Sequence, residues 1–470
     1  MNNGINSAYA HNNIKKQKEK NSMKKMMMLV LLVVASFGLM ACQSEEGTQG
    51  ITADKIYVGN TAATSGVFAG VGVPFNLAME VVFEKYNAEN DGRDIELIHY
   101  DDGFDGEQGL AYTRKLVEED KVFALVGHFG TNTVNATMDY LLESGIPMVY
   151  GVTGVNSLFF EDVPGNNILS VQPIYRTEGR MMVARAVNES LFGANNDAKL
   201  GNDEKIVVLY SDDDAGQSIR VGINDEVTSL DIASRVVYLP FSTTTANAVA
   251  TVALAENPGV ILLSSNQAPA TAMATALRTQ GSTVPVVTSY VNSAAVFSPA
   301  MVDATTPLPY EVYANAWVDI SDATAAGPTA DLIGGDGTLA GWDFDLSFLA
   351  GFSEEYWGDF VNDMNSSDLS EGQTTAKSLW ANPYAMAGYV AAHTFVSILD
   401  RVDLDEVTWE SFIEAAESAP IDLPLAGVID WADGNRTGLS TLALTRLVYA
   451  PQLTFSKIRD LEDIDAVRAK

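Results

Sequence analysis

Short apolar runs alternate with longer amphipathic stretches along most of this chain. Runs such as Phe123–Val126 and Val260–Leu263 are short enough to be strands that are buried on both faces. Polar or small residues follow these runs, and a helical pattern such as Val134–Leu142 comes next. This alternation predicts an α/β fold with two doubly wound parallel sheets, one over roughly residues 54–172 and one over 177–318.

The elements after residue 318 are too few for a third domain, so they are expected to complete the two lobes. A Gly-, Ala- and Asp-rich stretch at 321–349 predicts a surface insertion, and helical patterns and strand–turn alternation follow it. We therefore expect the chain to cross between the lobes more than once. The predicted division is a first lobe at 54–174, continued by about 319–424, a second lobe at 175–318, continued by about 425–455, and a C-terminal tail at 456–470.

The stretch from Phe123 to Gly154 predicts a strand–helix–strand unit with small and hydroxyl residues at both strand ends. Gly130 and Thr131 separate the first strand from the helix, and Val152, Thr153 and Gly154 follow the second strand. In a parallel sheet these strand ends line the crevice where ligands bind, and a helix N-terminus there offers free N–H groups. The same residues also serve as ordinary turns and caps, and the unit alone leaves both interpretations open.

The N-terminal residues predict an export signal rather than part of the fold. Lys24 and Lys25 precede an apolar run at 26–39, whose length suits a signal peptide better than a membrane span. Leu39-Met40-Ala41-Cys42 resembles the bacterial lipobox, in which the cysteine thiol accepts the lipid. We expect a signal peptide with an N-terminal extension at 1–41 (with Met23 as the start), lipidation of Cys42, and a tether at 42–53. The protein is then extracytoplasmic and anchored to the cell membrane.

The charge balance limits the partners of the exported chain. The formal net charge is −33, and it is near −38 after Cys42 because the leader carries six lysines and one glutamate. Such a surface repels nucleic acid and anionic lipid, so neither is an expected partner, and membrane attachment is assigned to the lipid on Cys42. Cys42 is the only cysteine, so no intrachain disulfide is possible.

The sequence shows no pattern typical of an enzyme, a metal site or a bound cofactor, and none of these is expected. The histidines lack metal-ligand spacing, and the acidic loop at 101–106 departs from the calcium-loop pattern at Gly103 and Tyr112. His128 is interpreted as a hydrogen-bonded residue rather than a base. Aromatic residues recur near strand ends, and only a minority is expected to touch a ligand: Phe68, Phe129, Tyr150, Tyr175, Tyr210, Tyr290, Tyr313 and Trp317.

Taken together, these segments resemble the type I periplasmic-type solute-binding proteins that include the leucine/isoleucine/valine-binding proteins. The resemblance covers nearly all of the chain after Cys42. It is clearest at 55–72, 100–127, in the loop Gly127-His128-Phe129-Gly130-Thr131, at 145–147 and at 205–216. It implies two lobes that are joined by a three-crossover hinge, close over a small molecule and deliver it to an ABC permease.

Carried over by position, the resemblance also implies a ligand site. Thr131, beside Gly130, matches a residue that binds the ligand carboxylate. Val152 and Gly154 match a second pair near that group, and Thr153 stands in for the hydroxyl that Gly154 lacks. The loop from Ser65 to Phe68 completes the first lobe's share, with Phe68 compensating for Val71, where amino-acid binders often have an aromatic residue.

On the second lobe, the expected ligand residues are Asp214, Asn266 and Tyr290. Tyr290 occupies the place of an acidic residue that holds an ammonium group in amino-acid binders, and Ala215 replaces a common aromatic residue. An ammonium would then need Asp213, Asp214 or an aromatic cage. The ligand stays open among an amino acid, an amide and a small carboxylate, including an apolar aromatic acid.

Two functions compete. The first is a solute-binding protein of an ABC transporter, which a neighbouring permease gene would favour. The alternative is a lipid-anchored ligand sensor that signals through a membrane partner. An enzyme that uses His128 is a third and weaker hypothesis.

Overall fold

The computed structural model describes residues 48–90, 92–160, 163–193, 197–292, 307–318, 354–380, 382–449 and 454–470. The predicted signal peptide, the lipidation at Cys42 and the insertion at 321–349 lie outside these residues.

The first lobe is built on a five-stranded parallel sheet with the order β2-β1-β3-β4-β5. Its central strand β3 is buried at all six positions, which fits the continuous apolar run that predicted it. The strands are β1 (Lys55–Ala62), β2 (Asp94–Asp101), β3 (Ala124–Phe129), β4 (Met148–Val152) and β5 (Ile168–Leu169). The helices between them are α1 (Ala69–Glu89), α2 (Gly106–Glu118) and α3 (Thr131–Ser144).

The second lobe is built on a seven-stranded sheet with the order β16-β15-β10-β9-β8-β6-β7. The strands are β6 (Lys205–Ser211), β7 (Val236–Phe241), β8 (Pro258–Ser264), β9 (Val286–Thr288), β10 (Val312–Ala316), β15 (Leu442–Val448) and β16 (Thr454–Glu462). Five of them run parallel, whereas β15 is antiparallel to β10 and to β16. The helices of this lobe are α4 (Tyr175–Asn188), α5 (Asp214–Ser229), α6 (Ala246–Ala255), α7 (Gln267–Thr279) and α11 (Ile464–Arg468).

The later part of the chain returns to the first lobe before it ends in the second. It forms α8 (Glu354–Ser366), β11 (Ser370–Glu371), β12 (Thr374–Thr375), α9 (Pro383–Leu399), α10 (Trp409–Glu417), β13 (Ile421–Leu423) and β14 (Gly427–Ile429). Helix α9 packs along α1 and contacts β13. The chain therefore crosses between lobes three times: after β5, after β10 and after β14. The predicted fold class, two α/β lobes with a three-crossover hinge, is confirmed.

In each lobe two helices meet with their backbones in direct contact. A Cβ added to Gly388 of α9 would lie 2.0 Å from the carbonyl oxygen of Phe75 in α1. In the second lobe, a Cβ on Gly222 of α5 would lie 2.0 Å from the carbonyl oxygen of Arg176 in α4. Only glycine permits these approaches. Helix α1 with its preceding turn (66–89) is apolar and long enough to span a membrane, but it is mostly buried, as a core helix is.

Both ends of the described chain are bound to the fold more firmly than the sequence predicts. At the predicted tether, the Thr48 hydroxyl donates to the carbonyl of Val407. The Gln49 amide donates to the carbonyls of Val117 at 3.2 Å and Val122 at 3.0 Å. Because these donors find backbone acceptors on the first lobe, the prediction of a free tether is wrong for residues 48–49.

The predicted C-terminal tail at 456–470 is also wrong. Strand β16 completes the edge of the second sheet by pairing with β15, and α11 packs on α4. Val467 is fully buried there, and the Arg468 guanidinium donates to the carboxylate of Glu226 at 2.7 Å. The buried side chain of Val467 and the ion pair of Arg468 therefore hold the C-terminal segment against the second lobe.

Candidate ligand-binding cleft

A cleft opens between the two lobes, where the carboxyl ends of strands from both sheets meet. Its cavity volume is about 90 Å³, counted as the space open to the centre of a water-sized sphere. The first lobe contributes the ends of β3 and β4 together with α1 and α9, and the second contributes residues that follow β8, β9 and β10. Nine aromatic residues dominate the lining: Phe68, Phe75, Phe104, Phe129, Tyr150, Tyr175, Tyr290, Trp317 and Tyr384.

The aromatic wall of the first lobe depends on Gly130. Phe68 and Phe104 stack with their ring centroids 4.0 Å apart, and Phe104 meets Phe129 edge to face. Gly130 has φ +99°, and a Cβ there would lie 2.8 Å from the ring of Phe104. A side chain at this position would therefore strain the backbone and displace Phe104.

Asp102 fixes the loop that carries Phe104. Its buried carboxylate accepts hydrogen bonds from the hydroxyls of Thr61 at 2.9 Å and Thr133 at 2.8 Å, and from the backbone N–H of Phe104 at 2.8 Å. Burial nevertheless raises the pKa of Asp102. These bonds connect β1, α3 and the loop, so the ring position follows from buried polar contacts.

A pair of hydroxyls lies at the N-terminus of α3. The side-chain oxygens of Thr131 and Thr153 are 2.9 Å apart, and both residues are buried. The phenol of Tyr175 interacts with both hydroxyls, although burial raises its pKa to about 12. Thr131 lines the cleft and Thr153 supports it from the next strand. The first backbone N–H groups of α3 lack partners within the helix, so donors converge at this end of the cleft.

Gln172 joins the two lobes at the first crossing. Its amide oxygen accepts from the Tyr150 hydroxyl at 2.7 Å, and its amide nitrogen donates to the Tyr290 hydroxyl oxygen at 3.0 Å. The Tyr290 hydroxyl donates in turn to the carbonyl of Pro173 at 2.8 Å. Trp317, beyond β10, meets Tyr150 edge to face at 5.8 Å. The polar atoms of this part of the wall are thus already paired.

A buried carboxyl group supports Tyr290 from behind. The oxygens of Glu178, on α4, accept from the backbone N–H of Tyr290 and the hydroxyl of Ser289, both at 2.7 Å. Burial raises the pKa of Glu178 to about 8. Glu178 does not line the cleft.

The cleft brings together six of the ten expected ligand residues: Phe68, Gly130, Thr131, Val152, Asn266 and Tyr290. Thr153 lies behind Thr131, and Gly154 is enclosed, with the Tyr290 hydroxyl 2.5 Å from where its Cβ would be. Ser65 is exposed at the rim. Whether the six residues contact a ligand stays a prediction.

Asp213 and Asp214 do not supply the acceptor that an ammonium group would need in the cleft. The Asp214 carboxylate instead accepts from the Asn135 amide of the first lobe at 2.7 Å. Asp213 caps α5 by accepting from the N–H of Gly216 at 2.8 Å. Both residues begin α5, which places them at the rim.

Six of the eight aromatic residues noted in the sequence line the cleft, and the expectation that only a minority touches a ligand stays a prediction. Tyr210 and Tyr313 do not line it. Sequence reasoning missed Phe104, Gln172 and Tyr384. The Asp102–Phe104 turn within the acidic loop could have indicated Phe104. No local sequence pattern indicates Gln172 or Tyr384.

His128 lies in the buried strand β3 rather than in a loop, and it does not line the cleft. Its Nε2 is 3.1 Å from the Thr137 hydroxyl, and burial lowers its pKa to about 3. Within the described ranges, no cluster of three His, Cys, Asp or Glu side chains could hold a metal ion.

Comparison with known proteins agrees with this architecture. A family model of periplasmic binding proteins matches residues 55–450. A fatty acid ABC transporter substrate-binding protein from Thermomonospora curvata superposes with a TM-score of 0.63 at 17% identity, covering 90% of this chain and 96% of that one. A possible leucine/isoleucine/valine-binding protein from Rhodopirellula baltica SH 1 gives 0.61 at 17% identity, covering 86% and 97%.

An ABC transporter substrate-binding protein from Desulfitobacterium hafniense, in complex with Leu, has a TM-score of 0.58 at 15% identity, with coverage of 86% and 100%. No curated protein sequence matches the chain. At these identities the structural likeness shows the fold alone. The family match spans most of the chain, however, and the chain therefore belongs to the periplasmic binding protein family, with the type I fold of ABC-transporter substrate-binding proteins.

Proposed function

We propose that this protein is an extracytoplasmic solute-binding protein, lipid-anchored through Cys42, that captures a small amino-acid-like or carboxylate ligand and delivers it to an ABC permease. The observation that carries the proposal is the cleft itself, which strand ends of both lobes line with aromatic side chains and converging hydrogen-bond donors. Neighbours described as a fatty acid ABC transporter substrate-binding protein and as a complex with Leu support an amino-acid-like or carboxylate ligand.

Contacts between the lobes support closure around the ligand. The Asn135 amide of α3 donates to Asp214 of α5 at 2.7 Å. The Asn156 backbone N–H, beyond β4, donates to the Ser218 hydroxyl of α5 at 3.2 Å. These polar contacts join separate lobes at the cleft rim, so they form only when the lobes approach. A ligand that touches both lobes would shift the open–closed equilibrium toward this arrangement.

The lobe limits belong to the same proposal. The first lobe comprises 54–174 and a later segment that begins near 319, and the second begins at 175 and resumes after the third crossing. That crossing is assigned to the residues after Ile429, because β13 and β14 form one hairpin and β13 contacts α9. The second lobe then continues through α11.

A thermal-shift screen tests binding. The protein from Gln43 onward, freed of carried-over ligand, is heated with amino acids, amides, aromatic acids and short carboxylates, because a ligand that binds only the native state raises the melting temperature. Thr131→Ala should lose the shift, whereas Thr275→Ala, an exposed threonine on α7, should keep it. No shift with any compound, in protein that is shown to be folded, would contradict the proposal.

Anchoring and delivery need separate experiments. Expression of Cys42→Ser in a bacterial host should move the protein from the membrane fraction to the soluble fraction. In proteoliposomes that contain a cognate ABC permease, the ligand-loaded protein should stimulate ATP hydrolysis, and free ligand should not. The ligand should be recovered unchanged after binding, since a solute-binding protein performs no turnover. Binding without ATPase stimulation would favour the ligand sensor.

A further inference from the structure

We infer that the cleft selects ligands that lack a cationic amine: small organic acids or amides with an apolar or aromatic body. The inference rests on the proposed function, because it assumes that solute binds in this cleft. It narrows the ligand classes that the sequence leaves open, and it depends on which polar groups face the cleft.

Among the described residues that line the cleft, none is an ionisable acid or base other than the tyrosine phenols. Among the described residues that line it, the polar side chains besides tyrosine are Thr131, Gln172, Asn266 and Gln267. The remaining members are aromatic, aliphatic or glycine. A ligand ammonium enclosed here would give up its water without meeting a carboxylate, which is costly for a buried charge.

Three acceptor atoms of residues in the wall already accept a hydrogen bond. The Gln172 oxygen accepts from Tyr150, and the Tyr290 oxygen accepts from the Gln172 nitrogen. The Gln267 amide nitrogen donates to the carbonyl of Val291 at 3.0 Å. An ammonium presents three donors that all require acceptors, and this wall offers few.

The nearest carboxyl groups do not compensate. Glu178 faces away from the cleft, toward the Tyr290 N–H and the Ser289 hydroxyl. With its pKa raised to about 8 by burial, it is largely neutral at pH 7. Asp102 is enclosed by Thr61, Thr133 and the Phe104 backbone, and Asp214 bonds to Asn135 at the rim.

Donors, by contrast, are available. Thr131 lines one end of the cleft at the N-terminus of α3, where the first backbone N–H groups have no partner within the helix. Tyr384, at the start of α9, lines the cleft, and its buried hydroxyl interacts with the side chain of Gln267. Burial raises the pKa of Tyr384 to about 12, which keeps that hydroxyl protonated. A protonated phenol beside a helix N-terminus suits a ligand carboxylate or amide carbonyl, because it can donate a hydrogen bond to either.

A quaternary ammonium held by the aromatic rings is the main competitor, because it needs no hydrogen-bond acceptor. The rings favour the acid, since several are packed against one another rather than left open around a central cation. Phe68 and Phe104 stack face to face, and Trp317 packs edge to face with Tyr150. Binding of choline is nevertheless an outcome of the test.

The test compares ligands that differ only in the amine, by isothermal titration calorimetry of the intact chain from Gln43 onward. The two main pairs are 3-phenylpropionate with L-phenylalanine and 4-methylpentanoate with L-leucine. The panel also contains carboxylic acids of two to ten carbons with their α-amino counterparts, and choline as the quaternary ammonium compound. We expect the acid of at least one pair to bind at least tenfold more tightly than its amino acid. An amino acid that binds equally or more tightly, or a preference for choline, would overturn the inference and leave the proposed function standing.

Substitutions separate the donors from general stability. Tyr384→Phe should weaken binding of the acid several-fold, whereas Tyr238→Phe should leave it unchanged. Tyr238 is a matched control because its hydroxyl is also buried, but it lies on β7 outside the cleft. Equal affinities of Tyr384→Phe and the parent protein for the acid would refute the assigned donor. If folded, ligand-free protein binds no compound of any class, the proposed function fails and the inference fails with it.

Discussion

Glu178 should make the stability of this protein fall as the pH rises through neutrality. Its carboxyl group is buried behind Tyr290, and burial raises its pKa from 4.5 to about 8. A group with a raised pKa keeps its proton in the native state after the unfolded chain has released it. Its stabilising effect is therefore complete below pH 4.5 and is lost as the pH rises to 8.

The size of the effect follows from the shift in pKa. Each unit is worth about 1.4 kcal/mol, so the free energy of unfolding should fall by roughly 3–4 kcal/mol between pH 5 and pH 8 on account of Glu178. Glu178→Gln replaces the protonated acid by an amide of the same shape, which can still accept from the Tyr290 N–H. The variant should match the parent near pH 5 and exceed it in stability at pH 8.

Urea denaturation followed by tryptophan fluorescence, at intervals from pH 5 to 9, measures both proteins. Glu226→Gln is a control, because buried Glu226 is paired with Arg468 and Arg180, so its loss should lower stability. If Glu178→Gln leaves the pH dependence of unfolding unchanged, Glu178 is not a neutral acid in the native state and the argument is refuted. The result would also remove one support for the exclusion of cationic ligands.

Two further substitutions probe the cleft. Gly130→Ala should destabilise the protein by roughly 1–3 kcal/mol and weaken ligand binding, because it strains the backbone and displaces Phe104. Gly145→Ala is the control, because Gly145 also has a positive φ but has open space around it. This variant should destabilise the protein without changing its affinity for the ligand. Thermal unfolding and calorimetry measure both effects, and unchanged affinity in Gly130→Ala would contradict the role of Phe104. Asn135→Ala removes the hydrogen bond to Asp214. It should weaken ligand binding about two- to tenfold, because a hydrogen bond contributes about 0.5–1.5 kcal/mol. An unchanged dissociation constant would show that this contact does not stabilise the closed form.

The parts of the fold that could be predicted are those that local patterns determine. Continuous apolar runs marked buried strands such as β3, and the polar residues after them marked the cleft, because strand ends of a parallel sheet meet at one edge. Thr131, Asn266 and Tyr290 all follow such strands, and the family resemblance added their expected roles.

Other parts depend on contacts that are remote in sequence. Tyr384 reaches the cleft only because α9 returns to pack on α1, some 300 residues earlier in the chain. Glu178 lies in a helix whose pattern gives no sign that an acidic side chain will be buried. Gln172 lies in an extended segment, and its value as a bridge appears only when Tyr150 and Tyr290 are positioned on either side. Hydrophobic periodicity does not predict contacts between side chains that are so far apart in the sequence.

The close contacts at Gly388 and Gly222 also bear on how this scaffold can change. Where helices touch backbone to backbone, neither lobe can be compressed or widened without losing its core. Mechanical compliance is therefore concentrated in the three connecting segments, and any displacement imposed by a bound solute reaches the outer surfaces of the lobes almost undiminished. Changes in solute preference then come from substitutions of cleft side chains on a constant backbone. The cleft is therefore a favourable starting point for redesigned biosensors.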